Sequence, residues 1–131
     1  MMIYFTKTLS VEKCKKYPDY FFVFGDNLAH QGTAGQAVIR HEPNSIGVPT
    51  KVAPCMEERC FFSDQDDEKL WVRMELERIF KMHLNDNTIV LPEDPIGSGL
   101  AELETRSPEI WKMIQDFYKW AKGAGNGILP E

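Results

Sequence analysis

Between Phe21 and Arg40 the chain reads Phe-Phe-Val-Phe-Gly-Asp-Asn-Leu-Ala-His-Gln-Gly-Thr-Ala-Gly-Gln-Ala-Val-Ile-Arg. An acid, an amide, a histidine and two glycines follow an apolar run and precede Gln36-Ala37-Val38-Ile39-Arg40, a stretch that can start a helix. Such residues suit a ligand carrying phosphates and sugar hydroxyls. Glycines let the backbone approach a ligand, and the first free N–H groups of a helix favour negative charge. Asp26 and Asn27 can hold hydroxyls. Two later stretches add to this chemistry. Pro49-Thr50-Lys51 brings a cation, and Glu93-Asp94-Pro95-Ile96-Gly97-Ser98-Gly99-Leu100 brings acids and two more glycines. His30 stands beside the first glycines, although a solvent-facing loop histidine is the commoner case. Glu93, Asp94 and Glu102 could act as acids or bases, but acidic loop residues are usually just solvated. No dinucleotide fingerprint, P-loop or zinc spacing is present, so neither a cofactor nor a metal is expected.

The elements that must position these residues alternate between strands and helices. Met2-Ile3-Tyr4-Phe5 reads as a short strand, and Ser10 can cap a helix through Lys16 that Tyr17-Pro18 ends. Phe21 to Gly25 is a second, buried strand. His41 to Asn44 is a turn, and Ser45 to Pro49 is extended. The stretch from Lys51 to Asp67 is irregular, with one short strand expected at Cys60–Ser63. A helix from Asp66 to Leu84 places Val72, Leu76, Ile79 and Phe80 on one face, with Leu70, Trp71 and Met74 widening the stripe. Thr88 to Pro92 is a buried strand. Ser107 and Pro108 suit the cap and first position of a last helix, which Gly123 can stop; a flexible tail is expected from about there. This pattern predicts a single α/β domain over 1–131 with a mainly parallel central sheet. In such a sheet, ligands bind outside the carboxyl ends of the strands, so all three polar loops would share one rim.

Composition narrows the function classes. With 131 residues the chain can bury a real core. A net charge of −5 argues against non-specific nucleic-acid or anionic-membrane binding. No apolar run approaches the ~20 residues needed to cross a bilayer, and no signal-peptide pattern opens the chain. Cys14, Cys55 and Cys60 lack metal-site spacing; their odd number predicts reduced thiols in a cytoplasmic protein.

Taken in order, Gly25-Asp26-Asn27-Leu28, Gly35-Gln36-Ala37, Arg40, Pro43-Asn44, Gly47, Pro49-Thr50-Lys51, Pro95 to Leu103 and Arg106 to Pro108 resemble the motifs of macro domains, which recognise ADP-ribose. The pattern is similar to that of a compact macro-domain-like group of phage and bacterial proteins, and it covers nearly the whole chain. The resemblance implies a compact three-layer macro-domain-like fold and a site for ADP-ribose or an ADP-ribosylated macromolecule. It implies that Asn27 contacts the distal ribose, that Gly32, Thr33 and Gly35 wrap the diphosphate, and that Asp26 and Gln36 help to line the site. Ile96, Gly97, Ser98, Gly99 and Leu100 match a second phosphate loop. Lys51 matches the lysine of macro domains that remove ADP-ribose from DNA bases, where it could stabilise developing charge or transfer a proton. Asn27, Lys51 and Asp94 are therefore the expected catalytic group. Three classes stay open: a hydrolase of an ADP-ribosyl linkage or ADP-ribose phosphate, a non-catalytic binder or sponge of such a nucleotide in phage–host conflict, and an interaction module.

Overall fold

In a computed structural model, which describes residues 2–130, four parallel strands form one sheet in the order β1-β4-β2-β3. They are β1 (Ile3–Thr6), β2 (Tyr20–Asn27), β3 (Ser45–Lys51) and β4 (Thr88–Pro92). The helices are α1 (Val11–Lys16), α2 (Asp66–Leu84), α3 (Leu103–Arg106) and α4 (Pro108–Ala124). The expected α/β class and parallel sheet are present.

Alternation along the strands sorts the core into two halves. Ile3, Phe5, Val23, Ile46, Val48, Ile89 and Leu91 join Val72, Leu76, Ile79, Ile110 and Ile114 of α2 and α4 in one cluster. Phe22, Phe24 and Val90 join Leu9, Cys14, Ile39 and Leu129 in the other. The sheet thus lies between two layers. Its central strands, β2 and β4, read as nearly unbroken apolar runs because both faces are covered. Each fully buried Ile, Leu or Phe contributes about 2 kcal/mol.

Several elements differ from expectation, each for a physical reason. β2 continues to Asn27, so Asp26 and Asn27 lie in the strand and not in the loop. β3 runs on through Pro49 to Lys51; as an edge strand it tolerates a proline that donates no hydrogen bond. Gln36 to Arg40 forms no α-helix but a 3₁₀ turn, Gly35–Ile39, without a side-chain cap. The β-branched pair Val38-Ile39 favours helix weakly, and the turn is anchored by Ile39 in the core. The expected strand at Cys60–Ser63 is only a bridge between Lys51 and Phe61 after a 3₁₀ turn at Glu58–Cys60. α2 matches its expected span, yet Leu70, Trp71, Met74 and Phe80 are exposed and only Val72, Leu76 and Ile79 form its buried stripe.

Ser107 stands at the cap of α4 but does not cap it with its hydroxyl. Asp64 accepts from the amides of Glu109 and Ile110 at 3.0 Å each, while its own N–H donates to Ser107 Oγ. The segment after α4 is not free either. Asn126 N–H donates to Ile3 O, Phe5 N–H to Gly127 O and Leu129 N–H to Phe5 O, at 2.7–2.9 Å. It covers the open edge of β1, whose backbone groups would otherwise lack partners. Finally, Cys55 and Cys60 form a disulfide across a Cα–Cα distance of 5.7 Å, which overturns the expectation of three reduced thiols. Only Cys14 remains a thiol; it is buried, which pushes its pKa up to about 11.

Candidate functional site

Because all strands run parallel, the loops after β2, β3 and β4 meet at one rim. After β2 the chain turns to the 3₁₀ turn on one face of the sheet, and after β4 it turns to α3 and α4 on the other. Adjacent strands whose connections leave to opposite faces open a crevice between their loops, where ligands of α/β proteins bind. Gln36 spans this crevice: its Oε1 accepts from Gly25 N–H at 2.9 Å and its Nε2 donates to Asp94 O at 3.1 Å.

The β2 side of the rim is organised around Asp26, a buried carboxylate. Its Oδ1 lies 2.5 Å from the Arg40 guanidinium and accepts from Asn27 N–H at 2.7 Å; its Oδ2 lies 3.0 Å from His30 Nδ1. Asp26 fits here because Gly47, on the neighbouring strand, has no side chain. A Cβ at Gly47 would come within 2.6 Å of Asp26 Oδ2. Arg40, nearly as buried, also donates to Gln31 O at 3.0 Å and Gly32 O at 2.8 Å. It therefore ties the glycine loop to the strand that precedes it. Bidentate guanidinium geometry suits this role.

Asn27 lies in the strand, and its side chain is engaged within the same loop. Nδ2 donates to Gln31 O at 2.8 Å. Beyond it Gly32, Thr33 and Gly35 are exposed, and a Cβ at Gly35 would meet nothing within 4 Å. In the β4 loop, Ser98, Gly99 and Leu100 are exposed and Gly99 faces open space, but Ile96 and Gly97 are buried. Gly97 is a packing residue: with φ +84°, a Cβ there would lie 2.2 Å from Leu103 Cδ1. Asp94 is exposed at the crevice mouth.

Lys51 sits on the same rim but faces away from open solvent. Only 7% exposed, its Nζ donates to Cys55 O at 2.7 Å and lies 4.4 Å from the centre of the Phe61 ring, over which Arg106 also stacks at 3.7 Å. Burial lowers its pKa; Glu102 opposes this and Arg106 adds to it. The strap 52–60, closed by Cys55–Cys60, folds over this lysine. Two hollows lie elsewhere, of about 550 Å³ between α2 and α4 and about 460 Å³ beside Phe61 and Arg106; no residue of the glycine loops lines either.

A model of a family of unknown function, DUF7831, matches residues 4–117 and so includes every residue of this rim. The chain belongs to the DUF7831 family. No match was found among curated proteins or among solved structures.

In this DUF7831 chain the structure brings Asp26, Asn27, Gly32, Thr33, Gly35, Gln36, Asp94, Ser98, Gly99 and Leu100 to one rim, and it leaves Ile96, Gly97 and Lys51 beneath the surface. Among the described residues no group of three His, Cys, Asp or Glu side chains is arranged to hold a metal ion, and no helix is long and apolar enough to cross a membrane. Arg40 and the pairing of His30 with Asp26 were not anticipated. The i,i+4 spacing of Asp26 and His30 was visible in the sequence; the reach of Arg40 back to Asp26 had no local signal.

Proposed function

We propose that this DUF7831 protein binds ADP-ribose, or a close nucleotide derivative, in the crevice between the loops of β2 and β4, and hydrolyses an ADP-ribosyl linkage or ADP-ribose phosphate there. The observation that carries this reading is the placement of two glycine-bearing loops after adjacent parallel strands that diverge to opposite faces. Gly35 and Gly99 leave their backbone unobstructed towards solvent, so a diphosphate can approach the N–H groups of both loops. Asn27 and Asp26 at the crevice base would position the distal ribose. The macro-domain resemblance supplies the ligand class.

A second reading, a binder without turnover, is favoured by one observation. Lys51, the expected charge-stabilising residue, is bonded to Cys55 O under the strap. Calorimetric titration with ADP-ribose tests the binding site, with AMP and ribose 5-phosphate as controls. Micromolar affinity for ADP-ribose and much weaker binding of either fragment is expected; silence to millimolar ligand rejects both readings. Incubation with ADP-ribosylated oligodeoxynucleotide or protein and with ADP-ribose 1″-phosphate then separates them. Binding without product from any of these substrates leaves the binder.

A further inference from the structure

His30 has a free ring nitrogen, a carboxylate behind it and a place on the glycine loop. Its side chain is 75% exposed, and Nδ1 lies 3.0 Å from Asp26 Oδ2. Asp26 is 5% exposed and faces Arg40 through its other oxygen, where it also accepts the Asn27 amide. A carboxylate so placed is ionised and can only accept. His30 must therefore donate from Nδ1, which leaves the lone pair of Nε2 for solvent or ligand when the ring is neutral. The backbone pays for this arrangement: His30 has φ +53°, a left-handed conformation uncommon for a residue other than glycine. The turn is closed by the His30 N–H to Asn27 O bond of 3.1 Å. A solvated loop histidine needs neither a buried carboxylate nor a strained backbone.

We propose that His30 is the acid–base residue of the rim and Asp26 its positioning residue, acting on a nucleotide derivative held by the two glycine loops. The proposal rests on the ADP-ribose reading above and deepens it. In hydrolysis of an ADP-ribosyl linkage, the oxygen of a water bonds to the anomeric carbon of the distal ribose. The bond to the departing group breaks and its electron pair leaves with that group. One proton of the water goes to His30 Nε2, and the imidazolium then returns it to the departing group. Asp26 holds the ring in the Nδ1–H tautomer and stabilises the transient cation, while Arg40 keeps Asp26 ionised and fixed between the strand and the loop.

Three measurements on the full chain test this. Long-range ¹H–¹⁵N spectra of the ligand-free protein should show His30 as the Nδ1–H tautomer; an Nε2–H tautomer overturns the proposal. Calorimetry should find that His30→Asn, which tolerates a left-handed backbone, keeps ADP-ribose affinity within about twofold, because uniform binding does not need the base. Turnover of ADP-ribosylated oligodeoxynucleotide, ADP-ribosylated protein or ADP-ribose 1″-phosphate should fall about 100-fold or more in the same variant, with partial recovery when imidazole is added. Unchanged turnover in His30→Asn, or wild-type binding without turnover of any of the three, overturns the acid–base role and leaves the binding reading standing. Failure of the wild-type protein to bind ADP-ribose overturns the binding reading and this role with it.

Discussion

After β2 the chain leaves Gln31, Gly32, Thr33 and Gly35 exposed and holds them from below, through Arg40 and Asp26. After β3 it does the reverse: residues 52–60 fold over Lys51, are closed by Cys55–Cys60, and take the ammonium into a backbone carbonyl and an aromatic face. In sequence, Gly-Asp-Asn and Pro-Thr-Lys look equally like ligand-binding ends of strands. What separates them is which group carries the polar cost of burial. At β2 a buried ion pair frees the loop to face solvent; at β3 the candidate ligand residue is itself the buried ion. A polar residue at a strand end is available to a ligand only if something else satisfies the backbone around it.

The largest way to break this contrast is to remove the anchor of the β2 loop. Arg40→Ala leaves Asp26 ionised and buried without its guanidinium, and strips Gln31 O and Gly32 O of their donors. Loss of one partner of a buried pair costs about 3–5 kcal/mol. Urea denaturation should show a loss of that order. Adding Asp26→Asn should recover part of it, since the orphaned charge goes with it. A loss under about 1 kcal/mol would mean that the pair is screened by solvent and does not anchor the loop.

The second test compares two glycines of the β4 loop that are two residues apart. Gly97→Ala must place a methyl against Leu103 from a left-handed backbone, so overpacking and strain should cost about 2–3 kcal/mol. Gly99→Ala meets nothing within 4 Å and should change stability by less than about 0.5 kcal/mol. If Gly99 faces a ligand, Gly99→Asp should weaken ADP-ribose binding while the melting temperature stays near that of wild type. Equal stability losses for the two alanine variants would show that the loop yields at Gly97 and does not fix the crevice wall.

The third acts on the strap. Reduction of Cys55–Cys60, or Cys55→Ser with Cys60→Ser, removes a cross-link over a short loop, expected to cost about 2 kcal/mol. More specific is the effect on Lys51. With the strap closed its Nζ is occupied by Cys55 O and should react slowly with an amine-acylating reagent; with the strap opened it should react at the rate of an exposed lysine. Mass mapping after a short pulse reads this out. The same rate in both forms would mean that Phe61 alone buries the lysine.

How much of this was legible follows from range. α2 was readable because its acidic first turn and its Val72, Leu76, Ile79 repeat are local, and β4 because five residues of Thr-Ile-Val-Leu-Pro can hardly be anything but a buried strand. That three loops share a rim was also readable, since it follows from parallel strands alone. Asp64 as the cap of α4 was not, because it acts across more than forty residues. The burial of Lys51 was hidden for a similar reason: it depends on Phe61, Arg106 and a disulfide that composition argued against. Asp26 and His30 were both noticed, but their pairing follows from β2 extending two residues past Gly25.

The smallest effect expected sharpens the contrast between His30 and a second histidine, His83 on α2. His83 is 6% exposed, has its ring edge-on to Trp120 with centroids 5.5 Å apart, and its Nδ1 has no hydrogen-bond partner among the described residues. Where His30 has a carboxylate to stabilise its cation, His83 has none, and burial lowers its pKa below the usual 6.5. The unfolded chain therefore takes up this proton first as the pH falls. Stability should decrease from about pH 6.5 downward until the folded-state pKa is passed, then level off as far as this group is concerned. His83→Phe keeps an aromatic ring beside Trp120 and removes the proton site, so its stability should be flatter than wild type across that window. If both proteins lose stability with the same slope, water reaches His83 Nδ1 and the two histidines differ in exposure more than in charge.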